Sequence, residues 1–299
     1  MNVSVGLIEE QPELEVELKG GAFRDTCGKA YGPGRYRFTS EITLTPADPA
    51  LCAFALDGVT IGIGFHWERK ERQVFRGALR VVKREAGLAV INDVALEEYV
   101  TSVISSEMSA SCPLELLKAH AVISRSWLWF PKANPGHGGT AQTEHLDSHE
   151  IRRWYGRETH PDFDVCADDH CQRYQGITKA FSDAAAEAVR ATAGEFLRYN
   201  GTICDARFSK SCGGITERFA TAWEDEDIPY LEPVCDSPAQ LPSHSAETWI
   251  RSNPPAYCNT GDSELLSRVL PGFDQETRDF YRWRVAYMPE ELADLIKSK

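Results

Sequence analysis

Long apolar runs are missing from this chain. No stretch of its 299 residues approaches the roughly eighteen uncharged apolar residues of a membrane span. The opening MNVSVGLIEEQPELEVEL has neither a basic n-region nor an apolar h-region, so no export signal is expected in the chain as given. Positive charge is scarce too: 32 Lys and Arg stand against 45 Asp and Glu, a net charge of −13. That balance argues against nucleic acid, whose phosphates require a basic excess, and against an anionic membrane surface. Internal repeats and low-complexity tracts are absent, which removes solenoids and linker arrays. What remains is an ordinary globular composition, 42% apolar and 26% charged, long enough for one large domain or two.

Periodicity divides the chain. The first 90 residues read as strands: VSVGLI, ELEVEL, RYRFTS, EITLTP, VTIGIGF and ALRVV alternate or carry β-branched residues, with Gly, Pro and Asp between them. Helices dominate 94–130. The polar, Gly-rich stretch from 131 to 150 reads as a loop beside them. A helix over 183–193 should end at Gly194, followed by a hairpin whose Asn200-Gly201 predicts a type I′ turn. The closing RDFYRWRVAYMPEELADLIKSK reads as a strand and then an amphipathic helix opening a further unit, so the protein is expected to continue beyond both ends of this chain. The expected fold class is α+β, with a β-rich part over 1–75, a mixed helical and hairpin core over 76–240 and an extension over 241–299.

One residue interrupts the helical pattern. In VALEEYVTSVISSEM the apolar positions Leu96, Tyr99, Val100, Val103, Ile104 and Met108 form a single stripe, and Glu107 continues it, eleven residues after Leu96. A carboxylate on a buried stripe points at the core or into a cleft, where burial raises its pKa and suits it to donate a proton near neutrality. In the next helix Pro113 suits a first helical position, and Leu114, Ala121 and Leu128 mark a face that also carries Lys118 and Arg125. A structural ion pair of Glu107 with Arg125 or Lys118 is the plain alternative, and it would lower that pKa instead.

Two cysteine groups invite chemistry. There are nine cysteines, an odd count, so at least one is unpaired within the chain. His160, Cys166, His170 and Cys171 fall within twelve residues, and two thiolates with two imidazoles complete a tetrahedral zinc shell. A Cys166–Cys171 disulfide or a plain surface loop are the alternatives. In SKSCGGITE, Cys212 followed by two glycines could be a thiol nucleophile with His120 or His170 as base, giving a cysteine peptidase or amidase; a packed thiol is the plain reading. A non-catalytic sugar-binding module is a third class, with Trp127, Trp129 and Trp223 as stacking platforms.

The segment EEYVTSVISSEMSASCPLELLKAHAVISRSWLWF resembles the signature of the SpoIID/LytB family, an EYxxxVxxxEM helix followed by a P-x-E-x-L-K-A-Q-A helix. YQGIT, AVRATAGEFLRYNGTICDARFSKSCGGITE, Trp223 and PYL at 229–231 extend the match, in order, across about 76–236. His120 stands where glutamine is usual and Ser126-Trp127 where Thr-Tyr is common. The resemblance implies a lytic transglycosylase acting on peptidoglycan glycan strands at the cell envelope, with Glu107 as acid and base. Such an enzyme protonates the MurNAc–GlcNAc oxygen and lets the MurNAc 6-hydroxyl close on C1 to a 1,6-anhydro end. It further implies substrate contacts from Tyr99, Lys118, His120, Arg125, Tyr174, Gln175, Ser209, Ser211, Gly213, Gly214 and Thr216. A structural zinc on His160, Cys166, His170 and Cys171 is implied as well, and a cell-wall amidase is a candidate second partner. Asp205 is a possible second carboxylate and keeps a hydrolytic reaction open.

Overall fold

The computed structural model describes residues 1–65, 67–134, 143–149, 151–154, 160–180, 182–239, 245–270 and 281–297. Strands come first: β1 (Asn2–Gln11), β2 (Leu14–Lys19), β3 (Phe23–Asp25), β4 (Ala30–Tyr31), β5 (Gly34–Phe38), β6 (Ile42–Pro46), β7 (Ala53–Ile61), β8 (Arg69–Phe75), β9 (Ala78–Arg84) and β10 (Gly87–Ala95). Helices α1 (Leu96–Glu107) and α2 (Leu114–Ala133) follow, then β11 (Thr143–Leu146), β12 (Ile151–Trp154) and β13 (Val165–Cys166). The rest is α3 (Asp183–Ala191), β14 (Arg198–Tyr199), β15 (Thr202–Ile203), α4 (Phe219–Ala222), α5 (Ala246–Arg251), α6 (Ser263–Val269) and α7 (Pro289–Lys297). The fold is α+β, as expected.

Alternation builds the sheets. In β2, Leu14, Val16 and Leu18 are buried while the intervening Glu15 and Glu17 face outward, so one face of the pleat meets the core. β2 lies in a four-stranded sheet of order β5-β2-β7-β8. The other large sheet runs β13-β1-β10-β9-β6-β3-β4. Strands on both sides of residue 75 therefore share one sheet: β1 pairs antiparallel with β10 and, on its other edge, parallel with β13. Both sheets, α1, α2 and α3 contribute to one continuous apolar core.

The chain divides into two compact units, 1–208 with 267–271, and 209–266 with 272–299. The first holds the sheets and α1 to α3. The second carries α4, α5 and α7, with most of α6, and among its described residues the buried apolar side chains are Phe219, Pro254 and Ala256.

Local expectations meet mixed outcomes. Asn200 (φ 49°) and Gly201 (φ 83°) both adopt positive φ between β14 and β15, the type I′ turn anticipated from Asn-Gly. Pro113 sits one residue before the first helical residue of α2, and its carbonyl accepts from the Leu117 amide. Much of the 131–150 loop lies outside the described residues, but 143–146 forms β11, paired with β12. The final helix is present as α7, whereas the expected strand before it is not found among the described residues, where 281–288 has no regular structure.

Candidate functional site

Glu107 is the last residue of α1, half-buried at the helix end. The stripe behind it is packed as the spacing requires: Leu96, Tyr99, Val100, Val103 and Ile104 are all buried. Its Oε1 accepts a 2.7 Å hydrogen bond from the backbone N–H of Arg173, which arrives from 66 residues further along the chain. This amide holds the carboxylate at the end of its helix.

The segment that supplies this amide is held at every step. It leaves β13 beside β1, where the Ala167 amide bonds Gly6 O at 2.9 Å. Asp168 accepts from the Gly62 and Ile63 amides at 2.9 and 2.8 Å. Gln172 then takes the Tyr99 hydroxyl at 3.1 Å and reaches the Ser124 carbonyl at 3.5 Å, so it touches both motif helices. Arg173 pairs with Asp169 at 2.6 Å and lies over the Trp67 ring. Tyr174 enters the core, stacks on Tyr99 and Phe75, and donates to Asn92 Oδ1 at 2.6 Å. Gly176 passes Val74 so closely that a Cβ would stand 2.2 Å from its carbonyl oxygen, and its φ of 57° suits glycine.

The His/Cys cluster takes Cys166, His170 and Cys171 from this stretch and His160 from just before it. The ligand atoms of His160, Cys166, His170 and Cys171 all lie within 4.8 Å of one another. Cys171 Sγ is 3.4 Å from both His160 Nε2 and His170 Nδ1, and Cys166 Sγ is 3.8 Å from His170 Nδ1. Zinc bonded to sulfur and nitrogen at its usual lengths sets tetrahedral S···N edges of about 3.6 Å, so the donor set fits that ion in type and span. The hydrogen bond from Cys171, then that from His170, hold the Cys166 thiol down at about 4 against the opposing effect of burial, so it is a thiolate at neutral pH.

The remaining predicted residues are placed differently from one another. Arg125 is 0% exposed and makes a two-point ion pair with Glu97, at 2.6 and 3.2 Å, plus a bond to the Glu195 carbonyl. It has no surface on which to meet a sugar, and its pairing is with Glu97 at the start of α1. Lys118 pairs with Glu115 one turn back at 2.7 Å and stays partly exposed. Tyr99 and Tyr174 are buried tyrosines whose hydroxyls are engaged internally, and burial raises the pKa of both, far above the usual range for Tyr99. They form the packed floor under the Glu107 segment, not a groove wall. Gln175 is buried, and its backbone N–H donates to Ser102 Oγ at 3.2 Å. His120 is buried edge-on against Phe208. Trp127 is buried in α2, while Trp223 is exposed.

Ser209, Ser211, Gly213, Gly214 and Thr216 belong to the second unit. There Thr216 brackets Val234, bonding its carbonyl through N–H and its amide through Oγ1. Cys212 is surrounded by Asp236 and Cys258. Burial, reinforced by Asp236 and Cys258, pushes its thiol up to about 11, the reverse of an activated nucleophile. His170 is occupied in the four-residue cluster, which removes one of its two candidate bases. Asp205 is 1% exposed and paired with Arg207 at 2.9 Å.

Sequence reasoning passed over Gln172, Arg173 and Asp168. Nothing in residue type marks a backbone amide as a ligand for a distant carboxylate. The adjacency of Gln172 and Arg173 to Cys171 was the available clue.

Comparison with known proteins falls on the same segment. A family model described as stage II sporulation protein (SpoIID) matches residues 84–199, and a domain of unknown function matches 217–299. Stage II sporulation protein D of Bacillus subtilis is 29% identical over 163 residues, covering 51% of this chain and 41% of the relative. The Bacillus amyloliquefaciens protein of that name is 26% identical over 144 residues, 48% of this chain and 39% of the relative. An uncharacterized protein of Brachyspira hyodysenteriae is 27% identical over 160 residues, 54% of this chain and 37% of the relative. The alignments thus span about two fifths of the curated relatives' lengths.

Proposed function

From the match of residues 84–199 to the SpoIID family, we propose that the chain cleaves peptidoglycan glycan strands as a lytic transglycosylase, with Glu107 as the single acid and base. The observation that carries this reading is the half-buried carboxylate at the end of α1, oriented through Oε1 by the Arg173 amide. With Oε1 engaged, the transferable proton is assigned to Oε2. It passes to the glycosidic oxygen as the bond to C1 of MurNAc breaks. The carboxylate then takes the proton of the MurNAc 6-hydroxyl as that oxygen closes on C1, and no water is consumed. Asp205, buried and paired with Arg207, is poorly disposed to activate a water molecule, which favours closure by the substrate over hydrolysis.

Lys118 is a partly exposed cation on α2, and in this reading it meets substrate carboxylate or hydroxyl groups. Ser209, Ser211, Gly213, Gly214 and Thr216 keep the sugar-contacting role that the resemblance implies. His160, Cys166, His170 and Cys171 would hold a structural zinc, whose contribution is folding energy from a closed shell. Those four residues fix the segment whose next members, Gln172 and Arg173, grip both helices and Glu107. The reaction is extracytoplasmic; no helix among the described residues is long and apolar enough to cross a membrane.

Digestion of purified glycan strands in oxygen-18 water tests the proposal. The expected product is an unlabelled 1,6-anhydroMurNAc end, lighter by one water than a hydrolytic end. Labelled reducing ends would make the protein a hydrolase and send attention back to Asp205.

A further inference from the structure

The described residues of the second unit bury little apolar surface. Among its described residues the buried apolar side chains are Phe219, Pro254 and Ala256. Small units with so little hydrophobic burial are held by disulfides, metals or partners. Within it three soft or anionic donors converge from separate parts of the chain. Cys212 Sγ lies 3.9 Å from Cys258 Sγ and 3.4 Å from Asp236 Oδ2, and one donor atom from each of the three residues falls within 4.8 Å of the others.

We propose that Cys212, Asp236 and Cys258 bind a zinc-type divalent cation that staples the second unit. Tetrahedral zinc with ordinary bond lengths sets S···S edges of about 3.8 Å and S···O edges of about 3.6 Å, close to the separations found. Backbone bonds hold the three ligand-bearing segments together. The Thr216 amide bonds Val234 O at 3.0 Å, the Asp236 amide bonds Gly214 O at 2.9 Å and the Tyr257 amide bonds Asp236 O at 3.0 Å. Three chain segments carrying the three ligands are therefore tied by backbone bonds. The Gly214 N–H also points at Cys212 Sγ, 3.4 Å away, the kind of outer-shell bond that stabilises a metal thiolate. That loop requires positive φ at Gly213 (73°) and Gly214 (101°), which accounts for the two glycines after Cys212.

Binding releases the two thiol protons to solvent while Asp236 enters as a carboxylate, leaving a net charge of −1 on the three ligands and ion. The fourth position falls to water or another small donor. A Cys212–Cys258 disulfide would use the same sulfurs but gives the converging Asp236 carboxylate no purpose. The inference concerns the second unit alone and does not depend on the proposed reaction or on the His160 cluster.

The test uses the full chain, reduced, stripped with a chelator and titrated with zinc. Peptide-level alkylation should show zinc protecting Cys212 and Cys258, independently of Cys166 and Cys171. Asp236→Asn should weaken that protection at least tenfold with unchanged circular dichroism. A Cys212→Ser/Cys258→Ser variant should take up about one equivalent less cobalt than wild type, one ion per tetrahedral site. Alkylation of Cys212 and Cys258 that zinc leaves unchanged overturns the proposal. So does a Cys212–Cys258 linked peptide in protein purified without reductant that holds no ion there.

Discussion

The backbone N–H of Arg173 donates to Glu107 Oε1 at 2.7 Å, and Cys171, a member of the His/Cys cluster, lies only two residues before that amide. Cluster and carboxylate are thus mechanically joined. Whatever loosens 166–171 should disturb the orientation of Glu107 without touching it.

Glu107→Gln tests the acid itself. The amide is isosteric and can still accept the Arg173 N–H, so folding should be preserved. It has no acidic proton, and strand cleavage should fall by at least about a hundredfold, the lower range for losing a general acid. Melting curves and product analysis on the same sample check this; an active, normally folded variant would make Glu107 a structural residue.

Metal content tests the cluster. Purified protein should carry about one zinc at His160, Cys166, His170 and Cys171. Chelation should lower the melting temperature and then activity, through the Arg173 link. Peptide mapping that returned a Cys166–Cys171 disulfide without metal would end that reading.

In chelated protein Cys166 should behave as a low-pKa thiol. Its folded value, about 4, lies below the ordinary 9.0 because Cys171 and His170 bond the thiolate. The sign is that of a depressed acid: its contribution to stability is fully present above about pH 9 and is lost as pH falls towards about 4. Iodoacetamide labelling of Cys166 should therefore persist at pH 6, where an unperturbed thiol is largely protonated and slow.

Arg125→Met should destabilise without changing the product. Substitution strands Glu97 and the Glu195 carbonyl, but the Glu97 side chain is 41% exposed and can hydrate. A loss of about 3 kcal/mol is expected, towards the lower end for breaking a buried pair. Lysine should rescue little, since it cannot make the two-point contact. Denaturant titration measures the loss, and a selective effect on substrate affinity with normal stability would restore Arg125 to the binding surface.

Gly176→Ala probes the segment's exit. The new methyl would meet the Val74 carbonyl at 2.2 Å from a backbone at positive φ, so the segment must shift. A cost of at least about 2 kcal/mol is expected. A melting temperature equal to wild type would show that the passage is not tight.

Local patterns were enough to determine much of this. Alternation in β2, the apolar stripe of α1 and the Asn200-Gly201 turn depend on residue type and near neighbours, so they could be read along the chain. Glu107 stood out because a charge on an apolar stripe is a local anomaly, and the SpoIID resemblance followed from motifs in order. The His/Cys set was legible because its members lie within twelve residues. Tertiary structure decided what those residues meet. Arg125 and Tyr99 share helix faces with candidate site residues, yet packing drew one to Glu97 and the other to Gln172, because buried polar groups must find partners wherever the fold supplies them. The amide that holds Glu107 carries no side-chain signature. Asp236 and Cys258 lie 24 and 46 residues beyond Cys212 along the chain, so only folding could bring their donors together.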